Sequence, residues 1–328
     1  MTSHEETRQT RDVTSSEKSA ADRFWTIWHR FGIFIILLAF VLVMMILTPR
    51  FMTTTNLLNV ARQVSVLSII SLGVLVVIIT GNVDLTVGAW MGLAGALFAS
   101  WSLKLGLLPA IVLGFGMAVV VGLTNGFLTT RGKGLSVIVT LAMFTIFQGV
   151  TLLITGGRPI IGFPQVIRIL GTGYIGPIPV PVVIAVLIAI VIHLILRYTA
   201  FGRELYAIGG NPEAARLSGI PNNARVIMAF IISASMAALA GLVLIARVSS
   251  AQPTAGVGEE MNAIGAVLIG GASLSGGAGS VLGTLAGVLI LGIISNGLNL
   301  LHVDPYYQYV VKGVIILFAI LMDQWGRK

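Results

Sequence analysis

Ionisable side chains are scarce in this chain, and a few of them fall where the neighbouring sequence is apolar. Asp84 stands in Thr80-Gly-Asn-Val-Asp-Leu-Thr-Val-Gly88, between two uncharged runs with no real loop between them. A carboxyl group at membrane depth is unfavourable, so by default it indicates contact with a solute or a gate. It can also cap the following helix by accepting backbone N–H bonds exposed at the Gly81 break. The residues favour capping over solute contact, and the two roles are compatible.

Lys312 and several amides extend this set of polar side chains. Lys312 lies in the last apolar run, about 10 Å from its start at 1.5 Å per residue. It can extend towards the interface or donate a hydrogen bond to a hydroxyl-bearing solute. Amides suit polyhydroxy solutes because each is both donor and acceptor, although most such amides connect helices to one another. The candidate path or gate comprises Asn82, Asp84, Glu260, Asn296 and Lys312.

Patterns typical of soluble enzymes are missing from the sequence. A phosphate-binding loop ending at Gly132-Lys133 requires glycine at position 127, where the chain has Phe127. The chain has no cysteine, which excludes disulfides and thiolate metal sites, and its four histidines have no ligand spacing. We expect no catalytic residue, no metal site and no cofactor bound by this chain. The energy for any uphill work would come from a partner or an ion gradient.

A short polar helix is predicted between two long apolar runs, within the connection 197–225. Asn211 can cap its first turn, Pro212 suits the first helical position, and Gly219 is placed to end the helix. A helix this short is marginal in water by itself, and Ala214 and Ala215 offer a face that another protein can approach closely. We therefore expect it to dock into a partner. The docking residues are Asn211, Glu213, Ala214, Ala215, Arg216 and Gly219.

The elements that must position these residues are membrane helices. The chain is 56% hydrophobic and 10% charged, far outside the range of soluble globular proteins. Most of its uncharged runs are near the ~20 residues that cross a bilayer, and the longest is divided by a glycine-rich break at 270–277. The sequence predicts an all-α polytopic membrane protein with about ten transmembrane helices. The predicted spans are 31–49, 63–83, 85–103, 105–130, 134–157, 169–192, 226–246, two within 261–301, and 305–322.

Charge orients these spans. Arginine and lysine concentrate in the tail and in alternate loops, which places both termini in the cytoplasm by the positive-inside rule. The net charge of +8 therefore indicates orientation and requires no nucleic acid partner. We interpret residues 1–30 as a cytoplasmic, disordered tail and residues 31–328 as a single transmembrane domain.

Glycines at four-residue spacing predict close helix contacts within the membrane. The packing residues are Gly122, Gly126, Gly279, Gly283 and Gly287. Short segments around Asn125 and Asn296 also resemble each other, and Asp84 and Glu260 lie at a similar offset, each ahead of an apolar helix rich in small residues. Two halves of similar design would suit a transporter built from repeats.

Seven segments of the chain carry a family resemblance, namely 80–88, 202–211, 213–219, 249–256, 269–277, 296–301 and 306–313. Together they resemble the permeases of bacterial monosaccharide importers driven by ATP-binding cassettes (ABC importers), the ribose type in particular. The resemblance covers nearly the whole chain after residue 30. The sequence departs from the family's usual pattern at Gly81–Thr86, at Glu260-Met-Asn262 and at Gln148, which bears on the substrate and not on the architecture.

The resemblance implies partners and a location. It implies two cytoplasmic ATP-binding subunits that use ATP and Mg²⁺, a periplasmic sugar-binding protein, and a homodimeric or paired permease in the bacterial inner membrane. Residues 213–219 match the loop that docks into the ATPase subunit. The chain itself would be a transport subunit without catalysis.

Other transport functions remain open from the sequence. The same architecture could import a polyol, a nucleoside or a signalling furanose instead of a pentose. A gradient-driven secondary sugar transporter fits less well, because such proteins use membrane-embedded acids for coupling and need no docking helix. This chain offers chiefly Asp84, with Glu260 at an edge. A membrane enzyme fits least, since no nucleophile–base or metal set is present.

Overall fold

The computed structural model describes residues 20–132 and 135–325, with side chains placed for 33–132 and 135–318. Residues 1–19, most of the predicted tail, lie outside this part of the chain. The described residues form thirteen helices and one two-stranded hairpin. These are α1 Ala20–Leu47, α2 Thr54–Ile79, α3 Val87–Leu105, α4 Leu107–Arg131, α5 Ser136–Thr155, α6 Gln165–Thr172, β1 Tyr174–Ile175, β2 Ile178–Pro179, α7 Val180–Tyr198, α8 Ala200–Gly210, α9 Pro212–Leu217, α10 Asn222–Val248, α11 Glu259–Ile269, α12 Val281–Leu300 and α13 Pro305–Trp325.

The centre of the molecule is built from α2, α3 and α10. Every residue from 68 to 80 is buried, as is every residue from 84 to 99. A helix that is apolar and buried all round lies inside its domain. By contrast, α4, α5 and α7 expose large apolar side chains, such as Leu108 and Leu153. Those outward faces are what a lipid-facing helix requires.

Six described helices are long and apolar enough to cross a membrane, namely α2, α4, α5, α7, α10 and α12. Helix α11 has 11 residues and measures about 16 Å at 1.5 Å per residue, half of a ~30 Å hydrocarbon layer. The all-α polytopic fold is therefore confirmed, with a hairpin of two residues per strand as its only sheet among the described residues. The count of ten spans and the location of the termini stay predictions.

Element boundaries differ from the predicted spans for local reasons. Helix α1 begins at Ala20, so residues 20–30, assigned to the tail, are helical. Helix α2 begins at Thr54, ahead of the predicted start at residue 63, so the charged Arg62 lies within the helix. The Arg62 guanidinium contacts the ring and the hydroxyl of Tyr174. The predicted span 169–192 is divided, since the Gly176-Pro177 turn, with φ +60° at Gly176, ends the helical path before α7.

Candidate functional site

Asp84 is the centre of a buried hydrogen-bond network that joins three helices. It is 1% exposed, and one carboxylate oxygen accepts the Thr86 N–H at 3.0 Å and the Thr86 hydroxyl at 2.5 Å. The other oxygen accepts the Ser233 hydroxyl of α10 at 2.8 Å. The Asn125 amide of α4 donates to the Thr86 hydroxyl oxygen at 2.9 Å. Asp84 thus fixes the start of α3 against α4 and α10.

Asn82 lies beside this network, and within the described part of the chain its side chain bonds to Thr80 of its own segment. Its amide donates to the Thr80 hydroxyl oxygen at 3.0 Å. The carboxylate of Asp84 bonds to Thr86, the residue just ahead of the first turn of α3, and does not reach an N–H deeper in that turn. The contact is an Asx-type turn that leads into the helix. The helix cap that the sequence favours for Asp84 is not formed, because α3 has no side-chain cap hydrogen bond among the described residues.

Glu260 is also buried, but only one of its oxygens is bonded. It is 7% exposed, and its Oε1 accepts the Gly258 N–H at 3.2 Å. Its Oε2 has no hydrogen-bond partner among the described residues. This oxygen packs on the backbone of Gly88 in α3, where an added Cβ would collide with it.

Asn296 forms a reciprocal amide pair with Asn56. The Asn56 amide donates to the Asn296 oxygen at 2.9 Å, and the Asn296 amide donates back at 2.8 Å. The pair joins α12 to the first turn of α2. Each amide uses one donor and one acceptor on the other, which is the interhelical role predicted for most of the amides.

Lys312 lines a cavity of about 220 Å³, which we call the polar cavity. Its walls come from α2, α3, α10, α11, α12 and α13 and from residues 256 and 257. A second cavity, of about 370 Å³, shares the side chains of Glu259, Asn262 and Lys312 with it and extends to Gln308 and Tyr309. The polar side chains around the first cavity are Gln63, Arg247, Glu259, Asn262, Ser295 and Lys312.

Of the predicted path residues, only Lys312 lines this cavity. Asp84 and Asn82 lie at the start of α3, Asn296 pairs with Asn56, and Glu260 is adjacent in sequence to the lining residue Glu259. Sequence reasoning missed Arg247 and Glu259 because both stand at helix ends, where charge is ordinary. Their one distinguishing signal is that the two helix ends are joined by a short connection, which keeps them close in space.

The short helix α9 is capped as predicted. The Asn211 side-chain oxygen accepts the N–H groups of Glu213 at 3.1 Å and Ala214 at 2.9 Å. Gly219 has φ +84° and no heavy atom within 4 Å of a Cβ position. Ile220 N–H donates to the Ala215 carbonyl at 3.1 Å, which closes the helix end.

The surface of α9 differs in part from the predicted docking face. Ala215 is buried against its own chain, so it is not available to a partner. Asn211, Glu213, Ala214, Arg216 and Gly219 are exposed. Glu213 and Arg216 form an ion pair at 2.5 Å, and the hydrogen bond and positive charge of Arg216 lower the pKa of the Glu213 carboxyl below its ordinary value.

Helix α8 connects α9 to the chain breaks after α2 and before α12. The main chains touch directly there, at a contact that we call the glycine junction. It comprises Gly81, Gly209, Gly210, Gly276 and Gly277. A Cβ on Gly209 would collide with the Ile79 carbonyl and the Gly277 N–H, which bond to each other at 2.9 Å. The Tyr206 hydroxyl of α8 also donates to the Gly279 carbonyl at 2.8 Å.

The predicted packing glycines lie at close helix contacts in four of five cases. Gly122 and Gly126 of α4 face the backbone of α10 at Ile231 and Ile227, and Gly283 and Gly287 of α12 face α11. Gly279 lies in the segment before α12 and is not part of that helix.

Comparisons with known proteins agree with these features. The family model described as "Branched-chain amino acid transport system / permease component" matches residues 56–320. The chain is 45% identical over 302 residues to the ribose import permease of Bacillus subtilis (strain 168), covering 91% of this chain and 94% of that protein. It is 41% identical over 294 residues to the ribose import permease of Escherichia coli (strain K12), covering 88% and 92%.

A further relative is named for a different sugar. The chain is 34% identical over 306 residues to the L-arabinose transport system permease of Escherichia coli (strain K12), covering 93% of each. No solved structure matches the chain at a significant level. With six apolar helices and these relatives, the protein is a multi-pass protein of the bacterial inner membrane and a transport subunit, not itself an enzyme. The chain belongs to this permease family of ABC import systems.

Proposed function

We propose that this chain carries a ribose-like pentose or a related monosaccharide inward across the membrane, driven by ATP hydrolysed on separate subunits. The named substrates of its relatives, ribose, L-arabinose and D-allose, are all monosaccharides. The name of the family model mentions amino acids, but the more similar individual relatives carry sugar names. Two ATP-binding subunits, a periplasmic binding protein and a second permease complete the proposed assembly, and ATP and Mg²⁺ belong to the ATP-binding partners.

The observation that carries this proposal is the placement of α9. It is a capped six-residue helix that exposes most of its surface, and isolated helices this short are marginal. It follows α8 directly, and α8 contacts both helix breaks at the glycine junction. A partner that moves α9 would therefore act, through α8, on the breaks at Gly81 and at 270–277. We place the cytoplasmic ATPase on α9, with Asn211, Glu213, Ala214, Arg216 and Gly219 at the contact.

Replacing Gly219 tests this proposal. Valine at φ +84° is strongly disfavoured, whereas asparagine tolerates the left-handed region. Nothing lies within 4 Å of a Cβ at this position, so neither variant has a packing clash. We expect Gly219→Val to lower uptake by roughly an order of magnitude, the factor that about 1.4 kcal/mol of backbone strain represents, and Gly219→Asn to keep most activity.

The measurement is uptake of radiolabelled ribose into proteoliposomes that contain the permease, its ATP-binding subunits and the binding protein. Inserted protein is quantified for each variant. Full transport by a stably inserted Gly219→Val protein would contradict docking through α9. Accumulation driven by a proton gradient without any ATPase would instead assign the chain to secondary transporters. Uptake of a polyol, a nucleoside or a furanose in preference to pentoses would change the assigned substrate and leave the proposed architecture unchanged.

A further inference from the structure

The polar cavity contains charged side chains that do not neutralise one another by direct contact. The described residues contain two ion pairs within 4 Å, Glu213–Arg216 and Glu204–Arg225, and neither pair lies at the cavity. Arg247, Glu259 and Lys312 all line it. Lys312 and Arg247 each interact electrostatically with Glu259, yet neither forms an ion pair with it within 4 Å. Charged groups inside a membrane domain are energetically unfavourable, so their presence indicates a functional site.

These charges come from three elements that converge only in the folded chain. Arg247 is in the last turn of α10, Glu259 is the first residue of α11, and Lys312 is in α13. The Asn262 side chain lies beside the Glu259 carboxylate, which keeps acceptor capacity for a solute. Gln63 of α2 and Ser295 of α12 add neutral polar groups to the lining.

This set of groups matches the hydroxyls of a sugar. Each sugar hydroxyl both donates and accepts. A carboxylate accepts two or more hydrogen bonds, while ammonium and guanidinium groups donate several, and such charge-assisted bonds are the stronger kind. Opposite charges more than 4 Å apart leave room between them for a hydroxyl, which can donate to the carboxylate and accept from a cation.

The size of the cavity favours a small solute. Its volume of about 220 Å³ is below the ~300–1,000 Å³ typical of pockets for drug-sized ligands. The two cations disfavour a cationic solute, and the carboxylate of Glu259 offsets one of their two charges.

We propose that the polar cavity binds one neutral pentose or hexose through hydroxyl hydrogen bonds to Arg247, Glu259 and Lys312, and that these residues select the solute within the membrane domain. This inference rests on the proposed function, because it concerns the same solute. Glu259, Asn262 and Lys312 also face the second cavity. A sugar held at this shared wall contacts both spaces at once.

The first experiment measures binding to the permease alone, so that it needs no partner subunit. Saturation-transfer NMR with millimolar D-ribose is recorded on the full chain in nanodiscs. We expect ribose signals from the wild type, reduced roughly tenfold in Glu259→Gln and in Lys312→Met, as loss of one charge-assisted hydrogen bond requires. Lys104→Met is the matched control, since Lys104 ends α3 away from the cavity. Lys312→Gln, which also removes the charge, replaces Lys312→Met if the latter does not fold.

The outcomes separate this inference from its rivals. Equal ribose signals in the wild type and in both cavity variants would overturn it, as would no signal from the wild type. Signals from leucine but not from ribose would show that the separated charges hold a zwitterion. Signals only from ribose 5-phosphate would show an anion site.

A second experiment measures sugar transported per ATP hydrolysed in the full assembly. We expect this ratio to fall roughly tenfold in Glu259→Gln, while ATPase activity stimulated by the loaded binding protein persists. A merely structural set of charges would lower thermal stability and both activities together, and that result would overturn the inference. If binding by NMR is found but no ATP-driven uptake occurs, the proposed function fails and the sugar site stands.

Discussion

Asp84 and Glu260 occupy similar places in the sequence but have different surroundings in the fold. Each precedes an apolar helix rich in small residues or begins one, and each is buried, at 1% and 7% exposed. Asp84 accepts three hydrogen bonds from two other residues and joins three helices. Glu260 accepts one bond through Oε1, and its Oε2 has no partner among the described residues. Two acids that look equivalent in sequence therefore differ in how much structure depends on them.

The difference teaches which buried acid is structural. A buried acceptor that satisfies several donors leaves those donors unpaired when it is lost, and each unpaired donor costs about 1–3 kcal/mol. A buried oxygen without a donor has no such bond to lose. Asp84 should therefore be sensitive to substitution and Glu260 tolerant, and three experiments sharpen that contrast.

The largest effect is expected for Asp84→Leu. This change leaves the Ser233 hydroxyl, the Thr86 hydroxyl and the Thr86 N–H without their acceptor, a loss of at least about 3 kcal/mol by the same reasoning. We expect little protein in the membrane and a markedly lower unfolding midpoint in detergent. Asp84→Asn keeps one side-chain oxygen, so we expect intermediate stability and measurable uptake.

Two results would contradict that prediction. Wild-type abundance of Asp84→Leu would show that the network is dispensable. Normal abundance of Asp84→Asn together with zero uptake would assign Asp84 to the transport path.

A small effect is expected for Glu260→Gln. Its Oε1 can still accept the Gly258 N–H, and its second position had no hydrogen bond to lose. We expect an unfolding midpoint much closer to wild type than that of Asp84→Asn, measured side by side in the same detergent. Gly88→Ala is the steric control, because its Cβ would collide with this same side chain and with the Gly256 carbonyl. Overpacking of that kind typically costs about 1–3 kcal/mol.

The relative unfolding midpoints of Glu260→Gln and Gly88→Ala decide whether the Glu260 carboxylate has a structural role. If Glu260→Gln destabilises the protein as much as Gly88→Ala does, the carboxylate has a structural partner, and the contrast with Asp84 is lost.

The smallest effect is expected for Glu213, an exposed acid in the first turn of α9. Arg216 lowers the pKa of Glu213 in the folded protein below 4.5. The pair therefore stabilises the fold at neutral pH, and that contribution disappears only as the pH falls through the lowered pKa. Because both side chains are well exposed, screening keeps the effect small. We expect the unfolding midpoints of wild type and Glu213→Gln to differ little at pH 7 and to converge below the lowered pKa.

Thermal unfolding of both proteins across that range, with Arg216→Gln alongside, provides the check. A difference that grows as the pH falls would mean that the carboxyl is stabilised in its protonated form.

Local features of the fold could be predicted from the sequence, and features made by distant contacts could not. The cap of α9 was predictable because Asn211, Pro212 and Gly219 act within one turn of each other. The helical class followed from composition. The ends of the spans were harder to predict, because an uncharged run of sequence need not begin and end where a helix does. Arg62, for example, lies well inside α2.

The site was predictable only in part for the same reason. Lys312 could be singled out because it interrupts an apolar run. Arg247 and Glu259 could not be joined to it, since only the packing of α10, α11 and α13 brings them to one cavity. Asn296 is a path candidate by residue type, but its partner Asn56 is 240 residues away in sequence, and only the structure reveals the pair.

The glycine junction limits how α8 can move. At most interfaces, small displacements are absorbed when side chains change rotamer, because rotamer changes are easier than movements of the backbone. At Gly209, Gly276 and Gly277 there is no side chain to absorb them, and the main chains of α8, the end of α2 and the loop before α12 touch directly. A shift of α8 therefore displaces both neighbours by a similar distance and with little delay. The three segments therefore form a rigid connection, in which the distance that α8 moves determines the distance that its neighbours move.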